Sequence, residues 1–190
     1  TSDKVVFGSG ISESDIGYVG QGQHLVFSIA ATGETVTVQN WFSGGAYQLD
    51  AVEFADGGSL DLVAVDAAVR VLEGNEDANT MNGYETDETL IGGAGNDTLK
   101  GSNGDDSLRG GADNDHLEGN RGSDTYHYNL GDGSDTINDY DSYDTRYGGT
   151  TDKLVFGSGI SASDIGYVRQ GQHLVFSIAA TGETVTVQNW

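Results

Sequence analysis

One apolar side chain recurs at every ninth position through the middle of the chain. The residues at this position are Met81, Leu90, Leu99, Leu108, Leu117 and Tyr126. Most of their neighbours on either side are polar, so each block predicts a very short strand with one inward side chain. Such a strand cannot fold alone. Stacked blocks would bury the apolar residues as a ladder between parallel strands.

Each block also contains a glycine-rich turn. Six blocks of nine residues run without insertion, beginning at Gly74, Gly83, Gly92, Gly101, Gly110 and Gly119. Glycine at positions 1, 2 and 4 permits positive φ and a sharp turn, and position 6 is usually aspartate. An imperfect seventh block follows a slip of two residues and places Asp135 at position 6. Stacked turns would therefore bring the position-6 carboxylates into columns.

The residues before the blocks alternate in the manner of half-buried strands. The pattern predicts strands at 4–7, 18–19, 24–29 and 34–38, and a hairpin formed by 47–54 and 59–65. A capping box at 12–15 predicts one helical turn.

Part of this flank occurs twice. Residues 3–41 recur at 152–190 with 36 of 39 positions identical, the differences being Val5/Leu154, Glu13/Ala162 and Gly20/Arg169. We expect a tandem array with a unit of 149 residues, of which this chain holds one unit and the start of the next. The predicted organisation is a β-rich capping domain of the preceding unit over 1–72, a roll over 73–139, and a linker with an incomplete second copy of the capping domain over 140–190.

The chain is strongly acidic. Eight Lys and Arg stand against 30 Asp and Glu, for a net charge of -22, which excludes a phosphate-binding face for nucleic acid. The sequence has no cysteine and no apolar run long enough to span a membrane. Stacked carboxylates would repel one another unless a cation lay between them. Calcium suits such a gap, because it takes about 6–8 oxygen ligands from carboxylates and carbonyls.

The blocks resemble the RTX, or haemolysin-type calcium-binding, nonapeptide repeat. GGAGNDTLK, residues 92–100, fits that repeat in full, and GSNGDDSLR and GNRGSDTYH keep glycine at positions 1 and 4 and aspartate at position 6. The first two blocks depart from it, with Asp77 and Thr86 at position 4. We expect those two turns to act as caps that bind calcium weakly or not at all. The flank resembles the haemolysin-type calcium-binding-related domain.

The resemblance implies an all-β fold: a right-handed parallel β-roll (β-solenoid) with two blocks per coil, flanked by antiparallel β-hairpin capping segments. Position-6 side chains 18 residues apart would then face each other along one edge. The implied calcium ligands at position 6 are Asn79, Glu88, Asp97, Asp106, Asp115, Asp124 and Asp135. Turn positions 2 and 4 would add carbonyls, from Gly93, Gly95, Gly104, Gly111, Asp113 and Gly122. We expect about three to five calcium ions, one between neighbouring turns.

A further calcium site is predicted just after the blocks, from Asp132, Asp139, Asp141 and Asp152. A solvated acidic loop is an equal alternative for this stretch. The aromatic side chains Trp41, Tyr47, Tyr140, Tyr143 and Tyr147 could stack on sugars, although packing in the cap is the favoured interpretation. The outward threonine column is interpreted as strand propensity rather than as an ice-binding face.

The sequence therefore predicts a calcium-binding structural module of a large, secreted, repetitive bacterial RTX protein, adhesin-like or toxin-like. It shows none of the common catalytic motifs, and we expect no enzyme activity. The resemblance implies folding on calcium after type I secretion, an extracellular or cell-surface location, and neighbouring copies as partners. An export and folding tail of a secreted enzyme or toxin, and a carbohydrate-binding accessory module with a glycan ligand, remain as alternatives.

Overall fold

The computed structural model describes residues 3–43, 45–139 and 151–189. The chain divides into two compact units, Thr1–Arg70 and Val71–Trp190. Strands account for most of the regular structure, with one short α-helix among the described residues. Within those residues, no helix has the length and apolar character needed to cross a bilayer.

The first unit is built from five strands and one helix. Its elements are β1 (Lys4–Phe7), β2 (Ile16–Gln21), β3 (His24–Ile29), β4 (Thr35–Val38), β5 (Ala51–Phe54) and α1 (Leu62–Val69). Strands β2, β3 and β4 form an antiparallel sheet, as the alternating pattern predicts, and the predicted helical turn is a 3-10 turn at Glu13–Asp15. Strand β1 pairs in parallel with β5.

The predicted hairpin after Tyr47 forms only next to its turn, where Glu53 and Ser59 make an isolated antiparallel bridge and the N–H of Leu60 donates to the carbonyl of Val52. Its outer parts are wrong. Tyr47 ends a 3-10 turn, and the strand is confined to β5. The segment predicted as its partner strand is largely α1, because the carboxylate of Asp61 accepts hydrogen bonds from the N–H groups of Val63 and Ala64 and so caps the helix. The helix buries Val65 and Val69. The helix has few polar residues, so its sequence shows no clear helical period. Its valines favour a strand.

The second unit is a parallel roll. Its first eight strands are β6 (Val71–Glu73), β7 (Thr80–Asn82), β8 (Thr89–Ala94), β9 (Thr98–Asn103), β10 (Ser107–Ala112), β11 (His116–Arg121), β12 (Thr125–Tyr128) and β13 (Asp135–Ile137). Even-numbered strands form one sheet and odd-numbered strands the other, so two blocks make one coil and paired residues are 18 apart. The predicted parallel β-roll is confirmed. Several strands are longer than the sequence predicts, because they run on into the next turn.

The ladder of leucines forms the core of the roll. Leu90, Leu99 and Leu108 are fully buried, and Leu117 is 2% exposed. They pack in one cluster with other apolar residues of the same unit, among them Tyr126, Tyr128, Ile137, Ile178 and Val185. Each such leucine contributes roughly 2–5 kcal/mol relative to alanine.

The second copy of the flank continues the roll. Its strands are β14 (Lys153–Phe156), β15 (Ile165–Gln170), β16 (His173–Ile178) and β17 (Thr184–Val187). Strand β14 pairs in parallel with β12, and β17 pairs in parallel with β13. The segment interpreted in sequence as a separate linker and cap therefore shares one unit with the roll, which begins at Val71.

Candidate metal centre

Two columns of side chains run along the two edges of the roll, where each turn enters a strand. The first column holds Asn79, Asp97, Asp115 and Asp135, and the second holds Glu88, Asp106, Asp124 and Asp152. Within each column, the backbone N–H of one residue donates to the carboxylate Oδ1 of the next at 2.7 to 3.0 Å. The structure thus brings together the position-6 residues of alternate blocks as the sequence predicts, and it adds Asp152 to the second column.

The second carboxylate oxygen of these aspartates has no hydrogen-bond donor. The Oδ2 atoms of Asp97, Asp106, Asp115 and Asp124 are buried without a partner. The side chains themselves are almost fully buried, with 0 to 3% of their surface exposed. A buried carboxylate oxygen without a partner is costly, so each of these atoms needs a cation or a proton. Hard oxygen donors in this number suit calcium better than a softer metal.

The glycine-rich turns stack closely beside these oxygens. Positions 2 and 4 have positive φ in blocks three to seven, including the non-glycine residues Ser102, Asp113 and Asn120. A Cβ on Gly111 would collide with the carbonyl of Gly93 in the preceding coil, and a Cβ on Gly93, Gly104, Gly122 or Gly133 would meet a carbonyl in the same way. The turn positions predicted as carbonyl donors therefore lie in close-packed stacks beside the aspartates. Their role as calcium ligands stays a prediction.

The first two turns are built differently. Neither contains a positive φ at positions 2 and 4. The side chain of Asn79 accepts from the N–H of Asn75, and that of Glu88 accepts from the N–H of Tyr84. Each position-6 side chain is thus hydrogen-bonded within its own turn, in contrast to the unpartnered aspartate oxygens. This difference agrees with the expectation that these turns act as caps.

A three-carboxylate cluster closes the second column. Asp124, Asp139 and Asp152 offer oxygens that all lie within 4.8 Å of one another, and Oδ2 of Asp139 is buried without a partner. Asp132, predicted for this site, instead accepts hydrogen bonds from Asn129 and does not belong to the cluster. Asp141, also predicted for it, lies outside the described residues.

Sequence reasoning named Asp152 but missed its place in the second column. Thr151-Asp152-Lys153-Leu154 has the polar, acidic, polar, apolar order of block positions 5 to 8. That order was the available signal. It was hidden because an acidic, tyrosine-rich stretch separates these residues from the seventh block.

Burial raises the pKa of four aspartates of the two columns, since the charged form loses its hydration inside the roll. The pKa of Asp106 rises to about 8, and those of Asp124 and Asp135 rise to about 7. The pKa of Asp115 rises to about 6. Neighbouring carboxylates add to the effect, and the hydrogen bond from the preceding coil opposes it. At neutral pH the columns therefore hold ionised and protonated carboxyls that a cation would bind by displacing protons.

The aromatic residues divide between packing and exposure. Trp41 is 2% exposed and its Nε1 donates to Asp66 at 2.7 Å, so it packs in the first unit as favoured. Tyr47 is 52% exposed. The three other tyrosines considered for sugar stacking, Tyr140, Tyr143 and Tyr147, lie outside the described residues.

We predict that Gly111→Ala destabilises the calcium-loaded roll by roughly 3 kcal/mol or more, because its Cβ would displace a backbone carbonyl in the stack. Gly171→Ala is the matched control, since Gly171 also has positive φ but has open space around it. It should cost about 1–2 kcal/mol from backbone strain alone. Thermal unfolding in saturating calcium measures both. An equal loss of stability in the two variants would contradict the carbonyl stack.

Two family profiles match the chain. The RTX calcium-binding nonapeptide repeat matches in overlapping stretches over 71–99, 91–126 and 100–137. The haemolysin-type calcium binding protein related domain matches residues 24–63. No curated protein matches the chain.

Two solved structures are similar in part. The AlgE6R3 subunit of the Azotobacter vinelandii mannuronan C5-epimerase has 25% identity and a TM-score of 0.42, covering 60% of this chain and 72% of its own. The extracellular lipase LipA from Serratia marcescens has 16% identity and a TM-score of 0.47 and covers 97% of this chain. The chain spans 30% of that lipase's length. The repeats, the related domain and the β-roll agree with one another: the chain carries RTX calcium-binding nonapeptide repeats, which fold as a β-roll, and a haemolysin-type calcium binding protein related domain.

Proposed function

We propose that this chain is a structural module whose roll folds when calcium enters its aspartate columns. One observation carries the proposal: four buried aspartates present an unpartnered Oδ2 along the two columns. Without a cation these carboxylates destabilise the compact state, and with calcium they become its ligands. Because the sites exist only when the coils stack, binding free energy becomes folding free energy.

The expected number of ions follows from the gaps between consecutive aspartates. The first column has such gaps between Asp97 and Asp115 and between Asp115 and Asp135. The second has them at Asp106–Asp124 and at Asp124–Asp152, where Asp139 joins. Four ions would fill these gaps, within the range of about three to five expected for stacked turns. The gaps bordered by Asn79 and Glu88 would bind calcium weakly or not at all.

The columns also favour a non-catalytic role. Four buried aspartates of the two columns, Asp97, Asp106, Asp115 and Asp124, each accept an N–H from the neighbouring coil through one oxygen and leave the other for a metal. A general acid or nucleophile needs room for a substrate beside it, whereas these oxygens are buried within the stacked coils. The module is proposed to stiffen a larger protein rather than to catalyse a reaction.

The proposed setting is outside the cell. A cytosol with little free calcium leaves the columns repelling, so the chain stays open for export through a type I secretion channel, and external calcium then folds it. The parent protein is proposed to be a tandem, adhesin-like array in which such modules act as spacers. The repeat of residues 3–41 at 152–190 supports this arrangement.

The test is Asp106→Asn, which keeps the shape of the side chain and can accept the hydrogen bond from Glu88 but removes a charged ligand. We expect the calcium midpoint to rise about tenfold, the scale of losing one charge-assisted contact. Equilibrium dialysis should show fewer bound ions than the four expected for the unchanged chain. Circular dichroism during a calcium titration gives the midpoint.

Glu13→Gln is the control for the loss of one negative charge. Glu13 is exposed in the first unit, and its counterpart in the second copy is Ala162. The same calcium midpoint for both variants would show that calcium acts on net charge and not in the columns, and would contradict the proposal.

A further inference from the structure

The two copies of the flank have nearly the same sequence but different partners. In the second copy, β14 and β17 each extend one sheet of the roll. In the first copy, the equivalent strand β1 pairs with β5, and β4 ends its sheet as an edge strand. The same residues can therefore be compared with and without a roll beside them.

The first strand of the flank is β1 in one copy and β14 in the other. Strand β5 and the roll pair with opposite edges of it. In the second copy, the N–H of Gly157 donates to Tyr128 of the roll at 2.8 Å. Gly157 corresponds to Gly8 of the first copy. In the first copy it is the preceding residue, Phe7, whose carbonyl accepts from Ala55 at 3.0 Å. Because adjacent residues of a strand direct their backbone groups to opposite sides, β1 can hold β5 and still receive a roll strand on its other edge.

The burial of corresponding side chains also differs between the two copies. Ile178 and Val185 are each 1% exposed, because they pack in the core cluster of the roll. Their counterparts Ile29 and Val36 are partly exposed in the first copy. Phe27 lies on the same face of the sheet, as the cross-strand partner of Val36, and it is 1% exposed in the first copy because Phe7 packs between Phe27 and Phe54. The first copy therefore buries the part of this face beside β5 and leaves partly exposed the part that the roll covers in the second copy.

The acidic residues that contact the roll in the second copy are also present in the sequence of the first copy. The carboxylate of Glu183 accepts from the hydroxyl of Tyr128 at 3.0 Å and from the N–H of Gly131 at 3.2 Å. Oδ1 of Asp152 accepts from the N–H of Asp124 at 3.0 Å. The first copy has the same acids as Glu34 and Asp3, both exposed. Of the three differences between the copies, the one on this side is Val5 for Leu154, which keeps the position apolar.

We propose that the edges of β1 and β4 that no described residue pairs with, and Ile29 and Val36 between them, form a docking face for the last coil of a preceding RTX roll. The occupant has final strands like β12 and β13, because those strands occupy the equivalent face of the second copy. The 39-residue flank is then a connector whose first strand pairs with the roll before it on one edge and with β5 on the other. This inference rests on the proposed tandem arrangement and deepens it.

A two-unit chain tests the docking face. Residues 1–149 placed before the full chain yield a middle copy of the flank with a roll ahead of it. In saturating calcium, Val36→Asp in that middle copy should lower the unfolding midpoint of the preceding roll by at least about 5 °C. Val185→Asp in the original chain should lower its midpoint by a similar amount, because it places the same charge in the same apolar contact.

Two controls accompany this test. Val36→Asp in the first copy, which has no roll ahead of it, should leave both rolls unchanged. Ala31→Asp in the middle copy should do the same, since Ala31 and its counterpart Ala180 are exposed.

An unchanged roll midpoint for the middle-copy Val36→Asp variant would overturn the docking face. Calcium-stable dimers of the original chain that Val36→Asp abolishes would also overturn it, in favour of a second copy of the chain as the occupant. Failure of the calcium proposal would appear separately, as a roll that stays folded in chelator.

Discussion

Chelation of calcium is expected to unfold residues 71–139 while residues 4–69 stay folded. The buried acids of the described chain all lie in the roll, at Glu88, Asp97, Asp106, Asp115, Asp124, Asp132 and Asp135. The first unit instead has an apolar core, with Leu25, Trp41, Phe42 and Val52 nearly or fully buried. Four sites at a hundredfold excess of calcium over their dissociation constants would supply about 11 kcal/mol, comparable with the whole stability of a typical domain.

Hydrogen exchange read by mass spectrometry separates the two units in one experiment. In chelator, peptides from the roll should exchange at the rate of an unfolded chain, and peptides from the first unit should remain protected. Millimolar calcium should restore protection along the leucine ladder. Protection of Leu99 and Leu108 that is the same in chelator and in calcium would refute calcium-dependent folding.

The columns were predictable from the sequence because they rest on a strict period. A nine-residue repeat determines which residues stack, and the slip of two residues before the seventh block still allows Asp115 to meet Asp135. The unequal roles of the two oxygens were not predictable. One is satisfied by a backbone N–H and the other is buried without a partner, which depends on the atomic positions of the turn.

The limits of sequence reasoning lie where the period breaks. The pairing of β14 and β17 with the roll joins residues separated by a non-repetitive stretch, and no local pattern indicates which strand edges meet. The helix α1 was missed for a different reason: its sequence Leu-Val-Ala-Val favours a strand, and the cap at Asp61 decides otherwise.

Low pH is expected to stabilise the calcium-free roll, and so to replace part of the effect of calcium. In the unfolded chain an aspartate has a pKa near 3.9, whereas burial raises the pKa of Asp106 to about 8 and of Asp124 to about 7 in the roll. Below pH 4 these carboxyls are protonated in both states, and the raised pKa costs nothing. As the pH rises, the unfolded state ionises first. The calcium-free roll therefore loses about 1.4 kcal/mol for every pH unit that separates a group's folded pKa from its unfolded pKa. Its stability falls between about pH 4 and pH 8.

Circular dichroism in chelator at pH 4.5 and pH 8 measures this effect, with more β signal expected at the lower pH. In calcium the dependence reverses, because protons compete for the same oxygens and the calcium midpoint rises as the pH falls. Asp106→Asn should weaken the acid effect in chelator, because the amide has no proton to gain, whereas Glu13→Gln should leave it intact. Acid that fails to increase the β signal of the calcium-free chain, or acts equally on both variants, would show that the column carboxyls do not control folding.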